Sequence, residues 1–196
     1  MPVSLPPNGH VRELRTVVLV EGESDRIAVH GVALRSGRNL EAEGIDVVAM
    51  GGVTNTRACA MHYGPCGQGL ALAGLYDAPD EATVRLGLAS AGLVAALDGD
   101  GLSGLGFYKC SLDLEDELIR ALGVAAVEAV IEATGETRSL RLLAGMPAQR
   151  GWEREAVLRR FLGARSGRKA RYAELLVAAL EPDRVPDPLA ALLARI

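Results

Sequence analysis

Residues 16–25 read TVVLVEGESD, and the reading of this stretch decides the fold. Val17, Val18, Leu19 and Val20 form an apolar, largely β-branched run that stops at the carboxylate of Glu21. Gly22 then permits a tight turn, and Ser24 or Asp25 can accept the free N–H groups of a following helix. An apolar run bounded in this way reads as a strand buried on both faces, the kind that fills a parallel sheet. Glu21 would stand at its carboxyl end, the edge where open α/β sheets bind ligands. An ordinary βα turn with solvated acidic caps has the same sequence, so a chemical reading needs residues from elsewhere in the chain.

Working outward, residues 25–36 place Ile27, Ala28, Val32 and Leu34 at helical spacings, with Gly37 as a stop, which completes a first βα unit. Residues 45–50 (IDVVAM) read as a second short buried strand, followed by Gly51-Gly52 and a helix over about 56–63 that Tyr63-Gly64-Pro65 breaks. Residues 69–76 (GLALAGLY) form a third apolar run, which again ends at a carboxylate, Asp77. Pro79 suits the first turn of a helix and the acids beside it favour a helix N-terminus, so a third helix is expected over 81–91. The glycine-rich segment 92–106 reads as a loop, and 106–110 (GFYKC) as a fourth strand. The stretch SLDLEDELIRALG then gives the clearest helix, capped by Ser111 or Asp113 and stopped by Gly123. After a helix over 125–133, only helical patterns follow, at 154–162, 169–180 and 188–196. The expected division is a lead-in at 1–14, an α/β domain at 15–135 and a basic helical C-terminal extension at 136–196.

The composition, 49% hydrophobic and 23% charged, is that of a globular chain with a sizeable core. No apolar run approaches the ~20 residues that cross a bilayer, so no membrane partner is expected. The N-terminal residues lack the basic and apolar regions of a signal peptide, which points to a cytoplasmic setting. Cys59, Cys66 and Cys110 form no C-x-x-C pair and read as buried thiols rather than as a disulfide frame or zinc site. The net charge of −4 hides an asymmetry. Ten basic residues between Arg138 and Arg171 face only Glu153 and Glu155, so that segment carries +8 and the remainder −12. An acidic body beside a basic third fits a cation site next to a polyanion surface, although arginines paired with the body's acids would give the same pattern.

If the strands ending at Glu21 and Asp77 share one parallel sheet, their acids converge. Asp25, one helical turn past Glu21, and Asp80 or Glu81 just past Asp77 would crowd the same edge. Like charges at close range resist ionising together, and a hard oxygen-seeking ion such as Mg²⁺ or Mn²⁺ relieves that crowding. The Asp113, Glu115, Asp116 and Glu117 cluster could serve a second ion, and two ions about 4 Å apart can clamp both oxygens of a phosphoryl transfer.

These residues resemble a known family. Glu21-Gly22-Glu23-Ser24-Asp25 after an apolar strand, with an aspartate-rich motif after a later strand, is similar to the Toprim domain of topoisomerases, primases, RecR-type recombination proteins and overcoming-lysogenization-defect (OLD) nucleases. The OLD-type module, with its opening VEG-x-S-D and later D-L-E-D, is the nearest likeness, and the resemblance covers about residues 15–120. It implies a Toprim-like (Rossmann-like) α/β fold, a four-stranded parallel sheet flanked by helices, with divalent-metal dependence and phosphodiester chemistry. By that resemblance Glu21 is a metal ligand and general acid/base, Asp25 closes the first motif, and Asp77 is the first aspartate of D-x-D. The second motif departs from the pattern. Asp77-Ala78-Pro79-Asp80-Glu81 sets the second aspartate three positions on rather than two, so either Asp80 or Glu81 could replace the missing ligand. Asp113 and Glu115 resemble the late metal-binding acids, and Lys169 resembles a late basic residue that steadies charge on the phosphate.

The reading that follows is a Mg²⁺- or Mn²⁺-dependent endonuclease or related phosphotransferase acting on nucleic acid, DNA in preference to RNA. Glu21 and Lys169 would be catalytic; Glu21, Asp25, Asp77, Asp80, Glu81, Asp113 and Glu115 metal-binding; Arg159, Arg160, Arg168, Lys169 and Arg171 nucleic-acid-binding. No G-x-x-x-x-G-K-[ST] sequence occurs, so any ATPase would be a separate partner, as would a repair protein. The alternative is a non-catalytic Toprim-like module that recruits a protein or nucleic acid. A flavodoxin-like domain with a phosphate at residues 51–55 is a third reading. Trp152 and Tyr172 could stack on bases, and they read first as core anchors of the helical third.

Overall fold

The computed structural model describes residues 13–93, 101–165 and 167–196. The expected lead-in thus lies largely outside the described residues, as does the Asp98-Gly99-Asp100 part of the expected loop. The chain opens with strand β1 (Thr16–Val20), helix α1 (Glu23–Arg35), β2 (Ile45–Ala49), α2 (Thr56–Tyr63), β3 (Ala71–Asp77) and α3 (Glu81–Ser90). There follow α4 (Gly101–Gly104), β4 (Phe107–Cys110), α5 (Leu114–Leu122), α6 (Val124–Ala133), α7 (Thr137–Ala144), α8 (Arg154–Leu162), α9 (Arg168–Ala179) and α10 (Asp187–Arg195).

The four strands form one parallel sheet in the order β2-β1-β3-β4. The α/β expectation and its four strands are therefore borne out. β1 has both neighbours and all its side chains from Val17 to Val20 are fully buried, which is why its sequence is a continuous apolar run rather than an alternating one. Val18 and Val20 join α1, α5, α6, α8, α9 and α10 on one face, and Val17 and Leu19 join α2, α3 and α4 on the other.

Two segments differ from the sequence reading. Part of the expected 92–106 loop is the short helix α4, which Leu102 anchors in the core. Residues 137–144 form α7, a helix not expected from the sequence, because only Leu140 of its residues is buried and Gly135 and Pro147 bracket it as breakers. The thiols also differ from expectation. Cys110 is buried, but Cys59 is half-buried and Cys66 is exposed, with its Sγ 3.5 Å from the Ala91 carbonyl oxygen.

Residues on both sides of the expected boundary at 135 share one core. Phe161, Leu158, Leu176, Leu189 and Leu192 belong to the same cluster as Val18, Ala28 and Leu75. Helix α9 packs along α1 and α10 covers β3 and β4. Arg35, at the end of α1, donates to the carbonyls of Ala178 (3.1 Å) and Leu180 (2.5 Å), which satisfies acceptors left open at the end of α9. This packing brings the N-terminus of α9, and with it Lys169, to the carboxyl edge of the sheet.

Candidate metal centre

Because the chain runs from β1 outward to β2 and returns on the other side to β3, the order reverses between β1 and β3. A crevice opens at such a switch point, outside the carboxyl ends of the strands. Glu21 leaves β1 there and Asp77 ends β3, with Leu19 opposite Gly74 in the register. Gly74 allows this closeness, since a Cβ on it would lie 2.4 Å from the Leu19 carbonyl oxygen and 2.7 Å from the Phe107 ring.

Glu21 is held through its backbone. Its carbonyl accepts from the N–H groups of Gly51 (3.0 Å) and Gly52 (3.1 Å), whose φ angles of 73° and 123° suit glycine. The Gly51-Gly52 turn thus grips the strand-end acid, and these two N–H groups are spent there rather than aimed at a phosphate. On the other side, the Gly22 N–H donates to Asp25 Oδ2 at 2.8 Å, which ties the first turn of α1 to the loop carrying Glu21.

The D-x-x-D spacing also has a structural answer. Residues Ala78–Asp80 form a single 3₁₀ turn, in which positions three apart lie on the same side. Asp80 therefore returns to Asp77, and one carboxylate oxygen from each of Glu21, Asp77 and Asp80 lies within 4.8 Å of the others. Glu81 turns away to Arg85 (2.9 Å) and Lys109 (3.4 Å), and the hydrogen bond from Arg85 holds its carboxyl below the usual range. Of the two candidates for the missing ligand, the structure brings Asp80 to the cluster and takes Glu81 away.

The cluster is electrostatically uncomfortable. Burial, with Asp25 and Glu21 next in importance, pushes the Asp77 carboxyl up to about 8. Burial likewise pushes Asp25 to about 6 against the pull of the Gly22 hydrogen bond, and burial and Asp80 raise Glu21. Among the described residues Glu21, Asp77 and Asp80 have no ion-pair partner. Such a set of acids suits a hard divalent ion, which bonds oxygen and supplies the missing positive charge.

The cleft beside them, of about 400 Å³, is lined by Glu21, Gly22, Asp25, Asp77, Glu115 and Lys169 among others. Glu115 is buried and accepts from Lys169 Nζ at 2.9 Å. Burial pulls the Lys169 ammonium down, but the bond to Glu115 and the charges of Asp113 and Asp25 outweigh it and leave it raised. Asp113 caps α5 by accepting from the Asp116 N–H (2.8 Å) and stands 3.6 Å from Arg159. Both late acids are thus already partnered by cations, Glu115 in this cleft and Asp113 in the one beside it.

Residues 14–65 match the family model for the overcoming lysogenization defect protein-like TOPRIM domain. The C-terminal region of the Xanthomonas campestris pv. campestris OLD protein superposes with a TM-score of 0.65 at 25% identity, covering 92% of this chain and 93% of that one. The C-terminal region of the Burkholderia pseudomallei OLD protein superposes with a TM-score of 0.66 at 20% identity, over 93% and 96%. The chain is thus similar to an OLD-like Toprim domain, by the family model over residues 14–65 and by fold over nearly its whole length. No curated protein matches it. Toprim domains generally bind divalent metal ions, and an OLD-like Toprim domain supports a module acting on nucleic acid. No helix among the described residues is long and apolar enough to cross a membrane.

In the C-terminal third the basic residues divide. Arg168, expected to contact nucleic acid, is buried. Its guanidinium lies 4.1 Å from the centre of the Phe161 ring, 3.2 Å from Glu136 Oε2, and donates to the Phe161 carbonyl at 3.1 Å. Arg171 is at the surface and pairs with Glu136 at 3.4 Å. Arg159, Arg160 and Lys169 line a second cleft with Trp152. Tyr172 is fully buried, with its hydroxyl 2.8 Å from Thr134 Oγ1 and 3.1 Å from Glu136 Oε2, and is the core anchor expected. Trp152 is not; it is 45% exposed. The sequence reading also missed the grip of Gly51-Gly52 on Glu21, because a glycine pair after a strand reads equally well as a phosphate cradle.

Proposed function

We propose that this chain is a Mg²⁺- or Mn²⁺-dependent Toprim nuclease, or a related phosphotransferase, acting on the phosphodiesters of nucleic acid, with DNA preferred to RNA. The observation that carries the reading is the meeting of Glu21, Asp77 and Asp80 oxygens within 4.8 Å at the strand ends, without a cationic partner among the described residues. These three residues would hold the ion, with Asp25 behind them. When bound, the ion polarises a phosphoryl oxygen and makes water a competent nucleophile near neutral pH.

The chain's own residues do the rest. Glu21, raised by burial and by Asp80, would be the acid that takes up and returns a proton at its carboxylate. Lys169 gives one of its three N–H donors to Glu115 and can give another to a phosphate oxygen as negative charge builds there. Glu115 fixes where that ammonium stands. A second ion would enter through Asp113 and Glu115, in competition with Arg159 and Lys169. The 3₁₀ turn that returns Asp80 to Asp77 supports this reading over a non-catalytic module, since the altered D-x-x-D spacing still brings two acids together.

The test is to incubate the purified chain with plasmid and linear DNA in Mn²⁺, Mg²⁺ or EDTA, beside Glu21→Gln and Lys169→Ala. Metal-dependent cutting that both substitutions abolish supports the proposal; equal cutting by the wild type and Glu21→Gln rejects it.

A further inference from the structure

Next to the acidic cleft lies a second one, of about 530 Å³, lined by Asp113, Trp152, Glu153, Ala156, Arg159, Arg160, Gly163 and Lys169. Lys169 lines both, so the two hollows adjoin at its side chain. We propose that this second cleft holds an unpaired nucleotide beside the reacting phosphate, with its base stacked on Trp152 and its phosphate near Arg160 and Lys169, so that the preferred substrate is single-stranded or frayed nucleic acid. The inference rests on the function proposed above and specifies its substrate.

Three observations support it. Trp152 is the only tryptophan of the chain and stays 45% exposed in a chain that is only 4% aromatic. It lies in the irregular segment between the 3₁₀ turn Pro147–Gln149 and α8, so nothing in the helices requires a large ring there. Second, Arg160 has no ion-pair partner among the described residues, and Arg159 is only loosely paired, at 3.6 Å from Asp113. Third, the charges are sorted by position. Three cations face two acids, while Trp152, Ala156 and Gly163 offer an uncharged patch that suits a base rather than a second phosphate. A tryptophan face is open only to a base that has left its own stack, which excludes the interior of an intact duplex. Arginine and lysine beside it supply the backbone attraction typical of single-strand grooves.

A lone tryptophan makes the test direct. Tryptophan emission and the anisotropy of end-labelled dT12 are followed together as the full chain is titrated, in EDTA and again with Ca²⁺, with a fully paired duplex of the same length as comparison. The proposal expects quenching by dT12 that exceeds quenching by the duplex, about tenfold weaker dT12 binding for Trp152→Ala, near-native binding for Trp152→Phe, and a salt dependence shallower by about one for Arg160→Gln. Because Trp152 is exposed and outside the helices, circular dichroism should be unchanged in these variants. Binding of dT12 without change in emission, or wild-type affinity in Trp152→Ala, overturns the inference and leaves the nuclease reading standing. Equal quenching by the duplex overturns the single-strand preference. Failure of both nucleic acids to bind, together with absence of plasmid cutting, overturns both readings.

Discussion

Replacing Asp77 by Asn in the metal-free protein should raise its stability, although Asp77 lies at the centre of the site. Its carboxyl is pushed from 3.8 to about 8, chiefly by burial and then by Asp25 and Glu21. At full value this displacement corresponds to ~6 kcal/mol. The carboxyl is only half-buried and partly screened by solvent, so we take about a third, roughly 2 kcal/mol. For a chain of this size that is a rise in Tm of roughly 4–8 °C. The sign follows from the direction of the displacement. A carboxyl whose folded value is raised contributes its stability below the unfolded value, 3.8, and loses it as pH climbs through about 8. The advantage of Asp77→Asn should therefore be absent near pH 3, grow between about 4 and 8, and level off above. Mn²⁺ should invert the order, since an ion at 100 times its Kd stabilises the wild type by about 2.7 kcal/mol and the variant by less. Calorimetric or fluorescence melts at stepped pH, with EDTA or Mn²⁺, measure all of this. A variant that melts below the wild type in EDTA at pH 8, or an advantage that shrinks as pH rises, refutes the crowded-carboxylate account.

Lys169→Ala leaves the buried Glu115 carboxylate without its 2.9 Å partner and should cost about 1–3 kcal/mol in urea unfolding, with Lys169→Arg recovering most of it. Gly74→Ala drives a methyl to 2.4 Å from the Leu19 carbonyl and should cost about 1–3 kcal/mol while moving the strand ends that carry Glu21 and Asp77, seen as weaker Mn²⁺ binding by calorimetry. Leu176→Ala on α9 empties a fully buried position in the core shared with the sheet and should lower stability by about 2–5 kcal/mol in one cooperative transition. Two separated transitions would show that the C-terminal helices unfold on their own.

Much of this protein was legible in its sequence because the β1 run and the acids after it are local signals. A strand buried on both faces must be apolar throughout, so Val17 to Val20 announce a parallel sheet without any partner in view. Acids just past two such runs announce a crowded edge, and Asp113 ahead of an acidic first turn announces the cap it makes on α5. Helices α1, α5 and α8 follow from the same one-dimensional rules of spacing, capping and glycine stops.

Partnership across long separations is another matter, and the folded chain decided it. Whether Asp80 or Glu81 joins Asp77 depended on one 3₁₀ turn and on Arg85 and Lys109 drawing Glu81 away. Arg168 and Lys169 are neighbours in the chain, yet the helical turn at the start of α9 sends one under Phe161 and the other to Glu115, 54 positions away. Trp152 and Tyr172 look alike as aromatics in a basic segment, and only packing put one in the core and left the other at the surface. Periodicity and capping act within a few residues and are written in the sequence; burial and charge pairing across the fold depend on the positions of all the other elements at once.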